Sequence, residues 1–187
     1  MPSHARLLSS KTSFTGRVFQ VKTDRIVEPG NIRATREVVE HPGSVVVLPV
    51  LPNGRVVLVR QFRYPARQSL WELVAGSMEP GESVIRAARR ELLEETGYRA
   101  RSITPVLSFY SSPGFLTERM HLVEARDLTF SEANPEADEH IEVREFSRGQ
   151  IRKLLQEKRI KDGKTLVGLL WNSFAHARCR TKATGHT

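Results

Sequence analysis

The chain holds a single cysteine, Cys179, among 187 residues. One thiol excludes an internal disulfide and any cysteine-built zinc site. It fits the reducing conditions of a cytoplasm, where the protein is expected to reside. No apolar run approaches the roughly 20 residues that a membrane-spanning helix requires, so no membrane partner is expected. Residues 1–15 lack the apolar stretch of a secretory signal. Basic residues are plentiful but never massed. The 29 Lys and Arg against 21 Asp and Glu give a net charge of +8, yet no run of five cations occurs. That scatter argues against a nucleic-acid surface and for a small phosphorylated substrate. Internal repeats and low-complexity segments are absent as well.

What remains reads as one domain with an appendage. Residues 1–15 are polar and without periodicity, and are expected to fray. Residues 16–28 alternate loosely through Val18, Val21 and Ile26. Pro29, Gly30 and Asn31 then form a turn, and residues 32–41 return as a strand. This N-terminal antiparallel segment, residues 1–42, is too small to stand alone and must pack on the main body or on another subunit. Residues 43–178 form the principal domain, and 179–187 a disordered tail. Within the domain, residues 44–51 (SVVVLPVL) read as a strand buried on both faces. With the turn at Pro52, Asn53 and Gly54 and a second strand to residue 62, they suggest a hairpin. A short strand follows at 70–74, then a loop at Glu79, Pro80 and Gly81. The first convincing helix spans 83–96, with Ile85, Ala88 and Leu92 on one stripe and Gly97 as its left-handed stop. Strands are expected at 103–110, 119–125 and 141–146. Helices are expected from Ser147 or Arg148 to about 158 and over 162–178, with an acidic loop at 131–140.

The helix at 83–96 carries a cluster that asks for a reason. Glu91, Glu94 and Glu95 lie within five residues. Positions three and four apart share a helix face, and like charges there cost a few tenths of a kcal/mol per pair. Two readings stand: a solvated acidic face, or a site for a hard cation such as Mg²⁺ or Mn²⁺.

The wider spacing separates them. Gly76, Glu82, Arg90, Glu91, Glu94, Glu95 and Gly97 stand in the order Gly-x5-Glu-x7-Arg-Glu-Leu-x-Glu-Glu-x-Gly. This run resembles the signature of the Nudix hydrolase family. Its one departure is Tyr98, where the family has a bulky aliphatic residue. The resemblance implies an α/β fold: an α/β/α sandwich with a mixed, curved sheet and a small N-terminal antiparallel subdomain. It also implies an enzyme that hydrolyses a nucleoside diphosphate linked to a further group. By the same resemblance Ala75, Glu91, Glu94 and Glu95 bind Mg²⁺, with Mn²⁺ able to substitute, and Arg90 and Glu82 orient the glutamates.

Segments outside the run resemble the ADP-ribose pyrophosphatase branch of that family. Arg60 to Pro65 and Trp71 to Gly76 match its flanking strands, which implies that Arg63 contacts phosphate and Glu72 helps hold the substrate. Pro113, sixteen residues after Gly97, falls in a segment, Ser111 to Glu118, that is similar to the branch's substrate loop. Arg36, and Phe19 as a stacking ring, are candidate contacts from the N-terminal piece, which this branch exchanges between the subunits of a homodimer. In the acidic loop the alignment favours Glu139 as the catalytic base, with Glu136, Asp138 and Glu142 as alternatives. The implied reaction is Mg²⁺-dependent hydrolysis of ADP-ribose to AMP and ribose 5-phosphate. Another nucleotide sugar such as GDP-mannose, or a non-catalytic nucleotide sensor, is the competing expectation.

Overall fold

The computed structural model describes residues 4–131 and 141–181, with side chains as far as Ala175. Besides a one-turn 3-10 helix (Tyr64–Ala66), ten strands and three α-helices form its elements: β1 (Arg6–Thr15), β2 (Gln20–Glu28), β3 (Ile32–Glu40), β4 (Ser44–Pro49), β5 (Val56–Arg63), β6 (Gln68–Glu72), β7 (Val74–Ser77), α1 (Val84–Thr96), β8 (Tyr98–Tyr110), β9 (Arg119–Phe130), β10 (Glu142–Phe146), α2 (Arg148–Gln156) and α3 (Gly163–Thr181).

Every residue of β4 is buried. The reason is its place in the middle of a four-stranded sheet, ordered β7-β4-β9-β8, in which β4 pairs antiparallel with β7 and parallel with β9. A β-branched run suits a strand covered on both faces. Val45 and Val47 face one core with Ala87, Ala88 and Leu92 of α1. Val46 and Leu48 face another with Ile151 and Leu154 of α2 and Leu169 of α3. Helices therefore cover both sides of the strands, which is the expected α/β/α arrangement. A second sheet, β10-β5-β6, closes the layer, and Val56 to Val59 of β5 supply both cores in alternation.

Three expectations need correction. The hairpin over 44–62 opens after one bridge, Val50 to Val56, because β4 and β5 become central strands of different sheets. Each needs two neighbours to bury its valines, and Pro49 has no amide hydrogen to continue the ladder. The expected frayed end is instead β1, a ten-residue strand paired with β2. All ten of its residues are exposed, so no face carried an apolar pattern to read. Backbone pairing aligns it, with one side-chain bond between Ser13 Oγ and Thr23 Oγ1 (3.3 Å). α3 also continues to Thr181, three residues into the expected tail, and 182–187 lie outside the described residues. Among the described residues no helix is long and apolar enough to cross a membrane.

The three-stranded sheet β1-β2-β3 meets the main body at one seam. Val39 N–H donates to Phe115 O (2.8 Å), Thr117 N–H to Val39 O (3.0 Å), and His41 N–H to Thr117 Oγ1 (2.9 Å). The loop between β8 and β9, which holds Pro113, is thus strapped to the end of β3.

Candidate active site

α1 is delimited as its sequence requires. Ser83 Oγ accepts from Arg86 N–H at its start, and Gly97 stops it at φ 73° with its N–H on Leu93 O. Between these ends the buried face carries Ala87, Ala88, Leu92 and Thr96 together with two carboxylates, Glu91 and Glu95. Glu91 lies against β7. A Cβ built on Gly76 would stand 2.0 Å from Glu91 Oε1 and 2.1 Å from its Cδ. Only a residue without a side chain lets this carboxylate lie on the strand.

Arg90 ties the run together. Its Nη1 donates to Glu91 Oε1 (2.6 Å) and Glu94 Oε2 (3.1 Å). Its Nε and Nη2 donate to the two oxygens of Glu82 (3.2 and 3.0 Å), and Nη2 also reaches Ser77 O (3.1 Å). One guanidinium thus joins β7, the loop after it and α1. The Arg90 hydrogen bond holds the Glu82 carboxyl below the usual range. Glu82 in turn raises Arg90, which stays charged throughout.

A second array lies beside it. Arg63, at the end of β5, makes a two-pronged pair with Glu72 of β6, both N–H···O distances being 2.9 Å. Glu72 is only 1% exposed. Burial alone would raise its pKa, but Arg63 and Lys164 outweigh that and hold it below the ordinary value. Lys164 Nζ lies 2.5 Å from Glu72 Oε2 and 3.0 Å from Asp162 Oδ1. Asp162 Oδ2 accepts from Thr165 N–H and Oγ1–H, and Thr165 Oγ1 accepts from Leu73 N–H. The Glu72 hydrogen bonds raise Arg63, and the charge of Glu95 adds to that effect, which connects the two arrays.

The sequence-derived residues therefore fall into groups. Glu82, Arg90, Glu91 and Glu94 meet at one guanidinium, with Glu95 one turn along the same buried face and Ala75 immediately before Gly76 on β7. Arg63 and Glu72 are partners. Glu118 has both oxygens engaged, by Ser44 Oγ–H (2.5 Å) and Ser111 Oγ–H (2.7 Å). Pro113 is exposed in the turn beyond. Arg36 contacts Glu28 (2.6 Å) and Thr35 O (3.1 Å) within its own sheet. Phe19 lies 5.9 Å from Phe14, centroid to centroid, and is 41% exposed. Glu142 pairs with Arg144 (2.6 Å) and Arg60 (3.5 Å). Glu139, Asp138 and Glu136 lie outside the described residues. Lys164 and Asp162 were missed. Asp162 three residues before Thr165 is a legible helix cap, but Lys164 meets a glutamate 92 positions away.

Among the described residues no three acidic, histidine or cysteine side chains converge tightly enough to hold a metal as they stand. Arg90 holds Glu91 and Glu94 at one guanidinium. In kind the donors fit a hard divalent cation: two buried carboxylates one helical turn apart, a third beside them, and a strand backbone kept clear by Gly76.

Similarity to known proteins agrees with this arrangement. The NUDIX domain profile matches residues 40–167. An ADP-ribose pyrophosphatase of Bacillus subtilis (strain 168) is 36% identical over 166 residues, covering 88% of this chain and 90% of that protein. A methanol dehydrogenase activator of Bacillus methanolicus is 35% identical over the same shares. A solved structure described as an ADP compounds hydrolase superposes with a TM-score of 0.78, covering 98% of this chain and 97% of the other at 22% identity, which speaks for the fold. With the domain matched from the end of β3 into α3 and the run from Gly76 to Gly97 complete, this chain belongs to the Nudix hydrolase family.

Proposed function

We propose that the protein hydrolyses ADP-ribose to AMP and ribose 5-phosphate with Mg²⁺, or Mn²⁺ in its place. The observation that carries this reading is the fit of Glu91 against Gly76, with Glu95 buried one turn on: two carboxylates on the buried face of α1. The choice of ADP-ribose is supported by the relative from Bacillus subtilis that bears that activity in its name. One water adds across the diphosphate bridge, a P–O bond breaks, and two phosphomonoesters leave. A bound divalent cation would neutralise the diphosphate and lower the pKa of the attacking water.

Ala75, Glu91, Glu94 and Glu95 are the proposed cation ligands. Arg90 and Glu82 hold those carboxylates in place, and Glu139 takes the proton from water. Arg63 and Glu72 serve the diphosphate end of the substrate, while Arg36, Pro113 and Glu118 belong to the surface that encloses the nucleoside. Arg suits the diphosphate because its planar fork donates in pairs. The working form is a homodimer with exchanged N-terminal segments.

The test is a panel of nucleoside diphosphate sugars with Mg²⁺, comparing kcat/KM for wild type and Glu95→Gln. ADP-ribose should rank first, and Glu95→Gln should lose at least about tenfold. A preference for GDP-mannose would overturn the substrate. Undiminished turnover by Glu95→Gln would overturn the ligand set.

A further inference from the structure

We propose that Lys164 is a positioning residue for diphosphate binding: it shares Glu72 with Arg63, so that Arg63 can turn to a phosphate without stranding a buried carboxylate. This rests on the reading of Arg63 as a diphosphate contact. An ionised carboxylate that is 1% exposed cannot be left alone, since an unpaired buried charge is among the most costly features a fold can hold. Were Arg63 the sole partner of Glu72, any ligand drawing it away would bear that cost.

The geometry divides the two cations by mobility. The Lys164 side chain is 11% exposed and fixed from behind. Asp162 holds its Nζ at 3.0 Å, and Asp162 is itself fixed by Thr165. Thr165 accepts from the amide of Leu73, the residue after Glu72. Lys164 and Glu72 therefore move together, as parts of α3 and β6 bolted by one hydroxyl. The Arg63 side chain is 41% exposed and stands at the last residue of β5, beside the turn into β6. The inner cation is the anchor and the outer cation is the movable one. The charge of Glu95 acts on Arg63, so the guanidinium lies within electrostatic reach of the carboxylate face of α1.

Lys164→Met, Lys164→Arg, Glu72→Gln and the double variant Glu72→Gln/Lys164→Met test this, with Mg²⁺ and ADP-ribose as substrate. Lys164→Met should raise KM about tenfold or more while kcat stays within about threefold, because Arg63 is then pinned to Glu72. Lys164→Arg should recover most of the wild-type KM. Glu72→Gln removes the buried charge that needs an anchor, so adding Lys164→Met to it should change KM by no more than about threefold relative to Glu72→Gln alone. A merely structural lysine would lower Tm in Lys164→Met and leave the KM ratio alone, which overturns the proposal. So does a double variant whose KM stands about tenfold or more above that of Glu72→Gln alone, a comparison that holds even should Lys164→Met not fold. Calorimetric binding of inorganic pyrophosphate to the same proteins reads the step without turnover. A wild-type enzyme that binds pyrophosphate but ignores ADP-ribose would defeat the substrate reading, and the variants' pyrophosphate affinities would still decide the role of Lys164.

Discussion

At the scale of single residues, the site depends on one missing side chain. Gly76 has no positive φ, so alanine there would be unstrained in the backbone. The added Cβ would nonetheless stand 2.0 Å from Glu91 Oε1, far inside contact distance. Glu91 would have to swing off β7 and give up its 2.6 Å bond to Arg90. Gly76→Ala is therefore expected to cut kcat/KM by about tenfold or more and to raise the Mg²⁺ concentration needed for half-maximal rate. Steady-state rates across a cation titration check this, and a variant indistinguishable from wild type would refute the fit. Gly76 and the glutamates were legible because their roles depend on fixed local spacing. Lys164 was not, because its partner arrives through the fold. The same holds for the engagement of Glu118 by Ser44, which joins residues 74 positions apart.

At the scale of elements, α1 and the loop before it behave as one piece because Arg90 spans them. Its bonds to Glu82 and Ser77 O fasten the loop, and those to Glu91 and Glu94 fasten the helix. This piece should be acid-labile. Glu82 has a folded pKa below its unfolded value, so it contributes stability above the ordinary glutamate pKa of about 4.3 and loses that contribution as pH falls through the folded value. Glu72 acts in the same direction. Tm should drop as the pH falls below about 4.3, and Glu82→Gln should flatten part of that slope. Parallel curves of Tm against pH for the two proteins would exclude Glu82 as a contributor. The ends of α1 were legible from Ser83 and Gly97, since capping is local chemistry. The sheet partners of β4 and β5 were not. A valine run says that both faces are buried, but not which strands cover its edges, and the apparent hairpin opened for that reason.

At the scale of the whole molecule, the N-terminal sheet poses the remaining problem. It is three strands in one layer, joined to the main body at the seam between Val39 and the loop at 115–117. Leu7, Phe14 and Ile32 are 57%, 53% and 59% exposed in the single chain. A sheet of that size needs a packed face to be stable, and exposed apolar side chains grouped on one small unit mark an interface. A second copy of the chain is the proposed cover. The seam would give such a second copy a route to the site, because the loop strapped to Val39 also holds Ser111 and leads to Glu118, which is bonded to Ser44 at the start of β4. Light scattering should therefore give a mass near twice the 21.2 kDa of one chain. The double variant Leu7→Asp/Phe14→Asp should shift the protein toward monomer at low concentration, since two charges would enter a desolvated surface. If the site depends on the second copy, kcat/KM should fall with dilution in the variant and not in wild type. A monomeric wild type with full activity would remove a second copy's N-terminal sheet from any part in binding the nucleoside.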